Sequence, residues 1–138
     1  MKTKLFFTLL LVLSAVLSVA QDNWIFVTIS SKHELIYIRS KPVSRNQNRV
    51  KIWVKAENGE YEAIKNGEKV MVHNGTRQVL SEFDCKNNKS RTHQYIIYDS
   101  SGTTVESQHF TESDLTWVDI APDSIYEAVI NKVCELFQ

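Results

Sequence analysis

Apolar and polar residues alternate with period two through most of this chain, and take up a 3.6-residue period only at its end. Trp24 to Ile29 is rich in β-branched and aromatic residues, and Glu34 to Arg39 follows after a polar Ser-Ser-Lys-His link. Together they read as a strand hairpin. Lys41-Pro42 interrupts, because proline has no N–H for a ladder. From Arg49 to Ala56 the alternation is clean: Val50, Ile52, Val54 and Ala56 share one face, and Lys51, Trp53 and Lys55 the other. Trp53 amid lysines is expected to cover a second apolar layer. Residues 57–75 contain three Asn-Gly pairs, at 58–59, 66–67 and 74–75, with short strand-like pieces between them. They read as a loop or an extra hairpin. Thr76 to Cys85, Ser90 to Asp99 and Thr103 to Phe110 are the remaining strands, with turns at 86–89 and 100–102. Val79, Phe83 and Cys85 share a face of the first.

Beyond Pro122 the period changes. Ser124 and Glu127 form a capping box, in which each side chain can reach the other's unpaired amide. Ile125, Tyr126, Val129, Ile130, Val133, Leu136 and Phe137 then fill one side of a helix, and Glu127, Asn131, Lys132 and Glu135 the opposite side. Such a helix needs a sheet to cover. The expected fold is α+β: an antiparallel sheet of about six strands with a C-terminal amphipathic helix packed on one face.

Composition narrows the setting. Met1 to Ala20 has two lysines, an apolar run from Leu5 to Leu13 and a small-residue ending, Ser18-Val19-Ala20. That is the grammar of a secretory signal peptide, and the run is short for a bilayer span. Residues 21–138 are then a single exported domain, with no transmembrane segment expected. Gln21-Asp22-Asn23 supplies no lipobox cysteine for a lipid anchor, so periplasm, cell surface and medium all remain open. In an oxidising compartment the two cysteines, Cys85 and Cys134, most simply form a structural disulfide. The bond would pin the helix to the sheet. Without Lys2 and Lys4 the remainder has 14 Lys and Arg against 16 Asp and Glu. That balance gives no reason to expect a nucleic-acid partner.

Candidate chemistry is sparse. His33, His73, His93 and His109 show no metal-ligand spacing, and are expected as exposed strand histidines. No metal site and no cofactor is expected; were haem bound, His93 with Tyr95 would be its place. His93 and His109 would neighbour each other across the last hairpin. No GxSxG or HExxH motif occurs, and no free thiol remains to act as a nucleophile, so no catalytic residue is assigned. Arg91 is expected to pair with Asp84 across the turn. Trp24 and Trp117 are expected in the core, and Trp53 at an interface or in the core. The basic residues Lys51 and Lys55 on one strand, and Lys86, Lys89 and Arg91 around a turn, offer a surface for acidic proteins, heparin-like glycans or membranes. Solvated faces are the simpler reading of them. Lys51, Trp53, Lys55, Lys86 and Lys89 are the candidate binding residues.

One longer pattern runs through the whole mature chain. Trp24, Tyr37-Ile38, Trp53-Val54, Glu82-Phe83-Asp84-Cys85, Arg91, Tyr95, Trp117, Pro122-Asp-Ser124 and Val133-Cys134 come in an order and spacing that resemble the bacterial surface-adhesin protein E family. The resemblance implies a small exported sheet domain with a C-terminal helix and the Cys85–Cys134 disulfide. It also implies an adhesin that binds host extracellular-matrix or serum proteins, with haem binding attributed to the family as well. The family's namesake carries a lipid anchor, which this chain's missing lipobox does not match. The functional expectation is a non-enzymatic exported binding domain, able to form a homodimer through a sheet edge. The alternatives are a periplasmic structural or envelope-stress protein and a small-molecule or haem binder.

Overall fold

The computed structural model describes residues 23–138; the expected signal peptide lies outside the described residues. Eight strands form one antiparallel sheet: β1 (Trp24–Ile29), β2 (Leu35–Arg39), β3 (Ser44–Asn46), β4 (Arg49–Lys65), β5 (Glu68–Asp84), β6 (Lys89–Tyr98), β7 (Thr104–His109) and β8 (Val118–Asp119). The main order is β1-β2-β4-β5-β6-β7, with β3 paired to the start of β4 and β8 to the start of β6. The six long strands are those expected, and the two short additions border the sheet where proline or a loop limits pairing. A single 3-10 turn (Glu112–Asp114) precedes β8, and helix α1 (Ile125–Phe137) ends the chain.

The inner face of the sheet is fixed by the alternation on β4. Val50, Ile52, Val54 and Ala56 pack with Ile36, Ile38 and Phe83 from neighbouring strands and with Val129, Ile130 and Val133 of α1. Ser124 caps the helix: its Oγ accepts from the Glu127 N–H at 3.2 Å and donates to the Ala121 carbonyl at 2.7 Å. Disulfide Cys85–Cys134 ties the last turns of α1 to the end of β5. One helix position departs from the expected arc: Leu136 is exposed, on the solvent side of the last turn.

Of the two readings of residues 57–75 the hairpin holds, as the bent outer half of the long β4–β5 pair. Only Asn66-Gly67 makes the turn, with both residues at positive φ. Asn58 and Asn74 also adopt left-handed φ, yet they sit where the β4–β5 register is irregular. There the two Asn-Gly pairs bend the ribbon instead of reversing it. Gly59 lies under the Tyr61 ring, which leaves no room for a Cβ. The bend folds Tyr61, Ala63 and Val72 onto Ile97, with Val70, Tyr95 and Val105 around them. Tyr95 and Ile97 share the face of Val54 and Ala56 through their β5 partners Val79 and Arg77. The inner face is therefore covered twice, by α1 towards β1 and by the hairpin tip towards β7.

A buried hydrogen-bond group ties the second apolar cluster to the β1–β2 link. Glu34 accepts from the Tyr61 hydroxyl at 2.8 Å and from Ser30 Oγ at 3.0 Å. Burial first, and then the bond to Glu34 and its charge, push the Tyr61 phenol well above its ordinary pKa. It stays a neutral donor throughout the physiological range.

Candidate functional site

Cross-strand partners share a face, so the register also defines the outer side of the sheet. One row reads Phe26, Tyr37, Lys55, Gln78, Ile96 and Ser107 from β1 to β7. Trp53 sits beside Leu80 in the next row, and Ile29 beside Leu35 at the other end. Neither α1 nor the folded hairpin reaches this side, since both pack on the inner clusters. Phe26 is 50% exposed and Ile29 56%. This is an apolar, aromatic-rich sheet face turned to solvent.

Cations are threaded between its rings. Lys55 Nζ lies 4.6 Å from the Trp24 ring centre and 4.7 Å from that of Tyr37, and reaches Glu57 Oε1 at 2.5 Å. The guanidinium of Arg39 covers the same Trp24 ring at 4.5 Å. At the far end Trp117 is flanked by Arg91 at 4.7 Å and Arg49 at 5.1 Å. Cation–π contact of this kind is worth about 0.5–1 kcal/mol at exposed sites and keeps rings and charges in one plane of contact. Trp24 and Trp117 thus belong to neither apolar core, contrary to expectation. They are half-buried platforms on the outer side, because arginine and lysine stems supply the cover that a core would.

Below them the charges form rows. Arg49, Asp84 and Lys89 are aligned across β4, β5 and β6, and Lys51, Glu82 and Arg91 form the adjacent row. In each, a buried carboxylate lies between two cations. Glu82 Oε2 accepts from Arg91 Nε and contacts His93 Nε2, both at 2.7 Å. Burial opposes its ionisation, but those two bonds and charges outweigh it and hold the carboxyl below its usual pKa. Arg91 therefore pairs with Glu82 and not with Asp84. The reason is register: Glu82 is its direct cross-strand partner, whereas Asp84 is turned into the β5–β6 turn. There Asp84 accepts from the backbone of Lys86 and Asn87 and from the Asn87 side chain, and the Asn87 amide above all keeps its pKa low.

The candidate residues named from sequence fall into two groups on this side. Lys51, Trp53 and Lys55 alternate along β4, with Lys55 sunk among rings. Lys86 and Lys89 sit on and after the turn, at the same end of the sheet as Lys51. Pattern reading missed Phe26 and Ile29, although alternation along β1 places Phe26 opposite the core residues Ile25 and Val27. It also missed Arg49, whose role depends on a tryptophan 68 positions away.

The histidines scatter. His33 is in a link at positive φ, His73 contacts Glu60 on the hairpin, and His109 is exposed on β7. His93 is buried, not exposed as expected, because an irregularity in β6 between its pairings with Leu80 and Ser81 turns it towards Glu82. His93 and His109 do lie on neighbouring strands. Among the described residues no three His, Cys, Asp or Glu side chains gather as metal ligands would. No helix among them is long and apolar enough to cross a membrane.

Comparison with known proteins gives one consistent answer. The profile of the family described as Surface-adhesin protein E matches residues 24–135. No curated protein matches in sequence. Among solved structures, protein E of Haemophilus influenzae superposes with a TM-score of 0.54 at 11% identity, over 80% of this chain and 83% of that one. A crystal structure of protein E from non-typeable Haemophilus influenzae gives the same score and identity, over 86% of this chain and 79% of that one. At such identity the superposition shows a shared fold.

Proposed function

The chain belongs to the surface-adhesin protein E family, and we propose that it is an exported, non-enzymatic binding protein that holds a host extracellular-matrix or serum protein against the outer face of its sheet. One observation carries this reading. A row of rings and aliphatic side chains lies on a face that neither the helix nor the folded hairpin covers, with Phe26 and Ile29 exposed at its β1 end. Exposed apolar patches framed by charge are where proteins meet other proteins, and aromatic and arginine side chains dominate their energetics. Trp24, Tyr37 and Trp53 supply the rings, and Arg39 and Lys55 the cations set among them.

The test is capture of the purified domain on immobilised matrix and serum proteins, beside a Phe26→Asp/Ile29→Asp variant. Both positions are solvent-facing, so the variant should stay folded and lose only the stability of the Phe26–Tyr37 ring contact, about 0.5–1.5 kcal/mol. Binding should weaken by at least about tenfold, less than a single hot spot of about 2 kcal/mol would cost. Undiminished capture of the variant would move the interface elsewhere, and failure of the parent to bind any of the panel would favour an envelope protein with no host ligand.

A further inference from the structure

The two charge rows end in a feature that protein contact on the aromatic rows does not require. Each row holds two cations against one carboxylate, and both carboxylates are already used. Asp84 accepts three N–H groups of the turn, and Glu82 serves Arg91 and His93. Around them Arg45 and Lys86 are exposed, and these two and Lys51 have no carboxylate partner among the described residues. The other acids nearby are Asp119, 3.5 Å from Lys89, Glu112, 3.7 Å from Arg91, and Glu135 on the last turns of α1, paired with Lys132. The end of the sheet carries a surplus of positive charge in a chain whose formal charge is zero.

Within that end the β3–β4 and β5–β6 turns border a polar hollow of about 350 Å³, lined by Arg49, Lys86 and the carboxamides of residues 46–48 and 87, and by Asp84, whose carboxylate is taken up by the turn N–H groups. The side chains of Asn46 and Gln47 have no partner among the described residues. Asn48 uses only its oxygen, accepting from Gln138, and Asn87 only its amide nitrogen, on Asp84. Free carboxamides present donors and acceptors side by side, which is what vicinal hydroxyls pair with. Arg49 and Lys86 supply the charge for a sulfate or carboxylate. Neither feature alone selects a ligand class; together they describe a charged, hydroxyl-rich chain.

We infer that this hollow and the cations around it bind an anionic saccharide, such as a sulfated glycan chain. The inference goes beyond the protein contact proposed above and does not depend on it. The experiment is titration of the purified domain with a heparin oligosaccharide, its desulfated counterpart and polyglutamate. An Arg45→Glu/Lys86→Glu variant and a Lys65→Glu control at the hairpin tip are run alongside. Both substituted positions are exposed and unpaired, so melting temperatures should match the parent. The sulfated saccharide should bind, weaken steeply with added salt, and lose at least about tenfold in affinity in the double variant but not in the control. No binding at physiological salt, equal loss in Lys65→Glu, or unchanged binding in the double variant would overturn the site. Equal binding of polyglutamate would reduce it to a diffuse positive field with no saccharide preference.

Discussion

At the level of single residues, several charged groups of this protein are placed where they hold rings and turns. Lys55, read from sequence as a surface cation beside Trp53, is spent between Trp24 and Tyr37. Glu82 and Asp84 show the other side of this economy, because both carboxyls sit below their usual pKa in the folded chain. The consequence for stability has a definite sign. Each group takes up a proton less readily when folded than when unfolded, so on acidification the unfolded chain gains more protons and the folded state loses ground. Their contribution is fully present above the unfolded carboxylate range near about 4 and disappears as pH falls through their lower folded values. Urea midpoints measured from neutrality down to about pH 2.5 should hold steady and then fall below about pH 4. A Glu82→Gln variant should start lower and show a shallower decline. An identical decline in that variant would remove Glu82 from the explanation.

At the level of elements, what the sequence disclosed depended on how local the cause was. Alternation from Arg49 to Ala56 and the 3.6-residue period of α1 come from each element facing one core. The helix was legible to within a residue or two, but β4 only in its first half, since the strand runs on to Lys65. Ser124 announced the helix start for the same local reason. A hairpin over 57–75 was one of two open readings, but its bend was not legible, since Asn-Gly has the same φ preference in a turn as in a bulge, and only packing of Tyr61 and Val72 on Ile97 decides between them. The Arg91–Glu82 pair was lost to a strand register that no local signal reveals. Around the candidate site, parity placed Lys51, Trp53 and Lys55 on one face of β4, while the Trp117 platform depended on contacts between distant segments. The disulfide spans 49 residues and joins elements that otherwise meet only through side-chain packing. Cys134→Ser should cost about 2–4 kcal/mol in reversible unfolding. It should also raise amide exchange in α1 more than in the hairpin tip, whose cluster contains no helix residue. Equal exchange in both would mean the bond stabilises only through the unfolded chain.

At the level of the whole molecule, one side of the sheet is consumed by folding and the other is left for contact. The inner face is covered by α1 and by the hairpin's own tip, and the Glu34–Tyr61 bond ties that tip to the β1–β2 link. The outer face keeps its rings and rows of cations, with the positive surplus gathered at the turn end. Such an arrangement serves a protein whose work is to be touched, and membership of the surface-adhesin protein E family points the same way. The account therefore stands or falls on whether that face meets the outside of the cell. The most direct measurement is labelling of intact producing bacteria with antibodies raised against the folded domain, beside a known periplasmic protein. The account predicts labelling without permeabilisation, reduced when the antibodies are first absorbed on the parent domain but less so on the Phe26→Asp/Ile29→Asp variant. Labelling that appears only after the outer membrane is breached would contradict it and confine the protein to the periplasm.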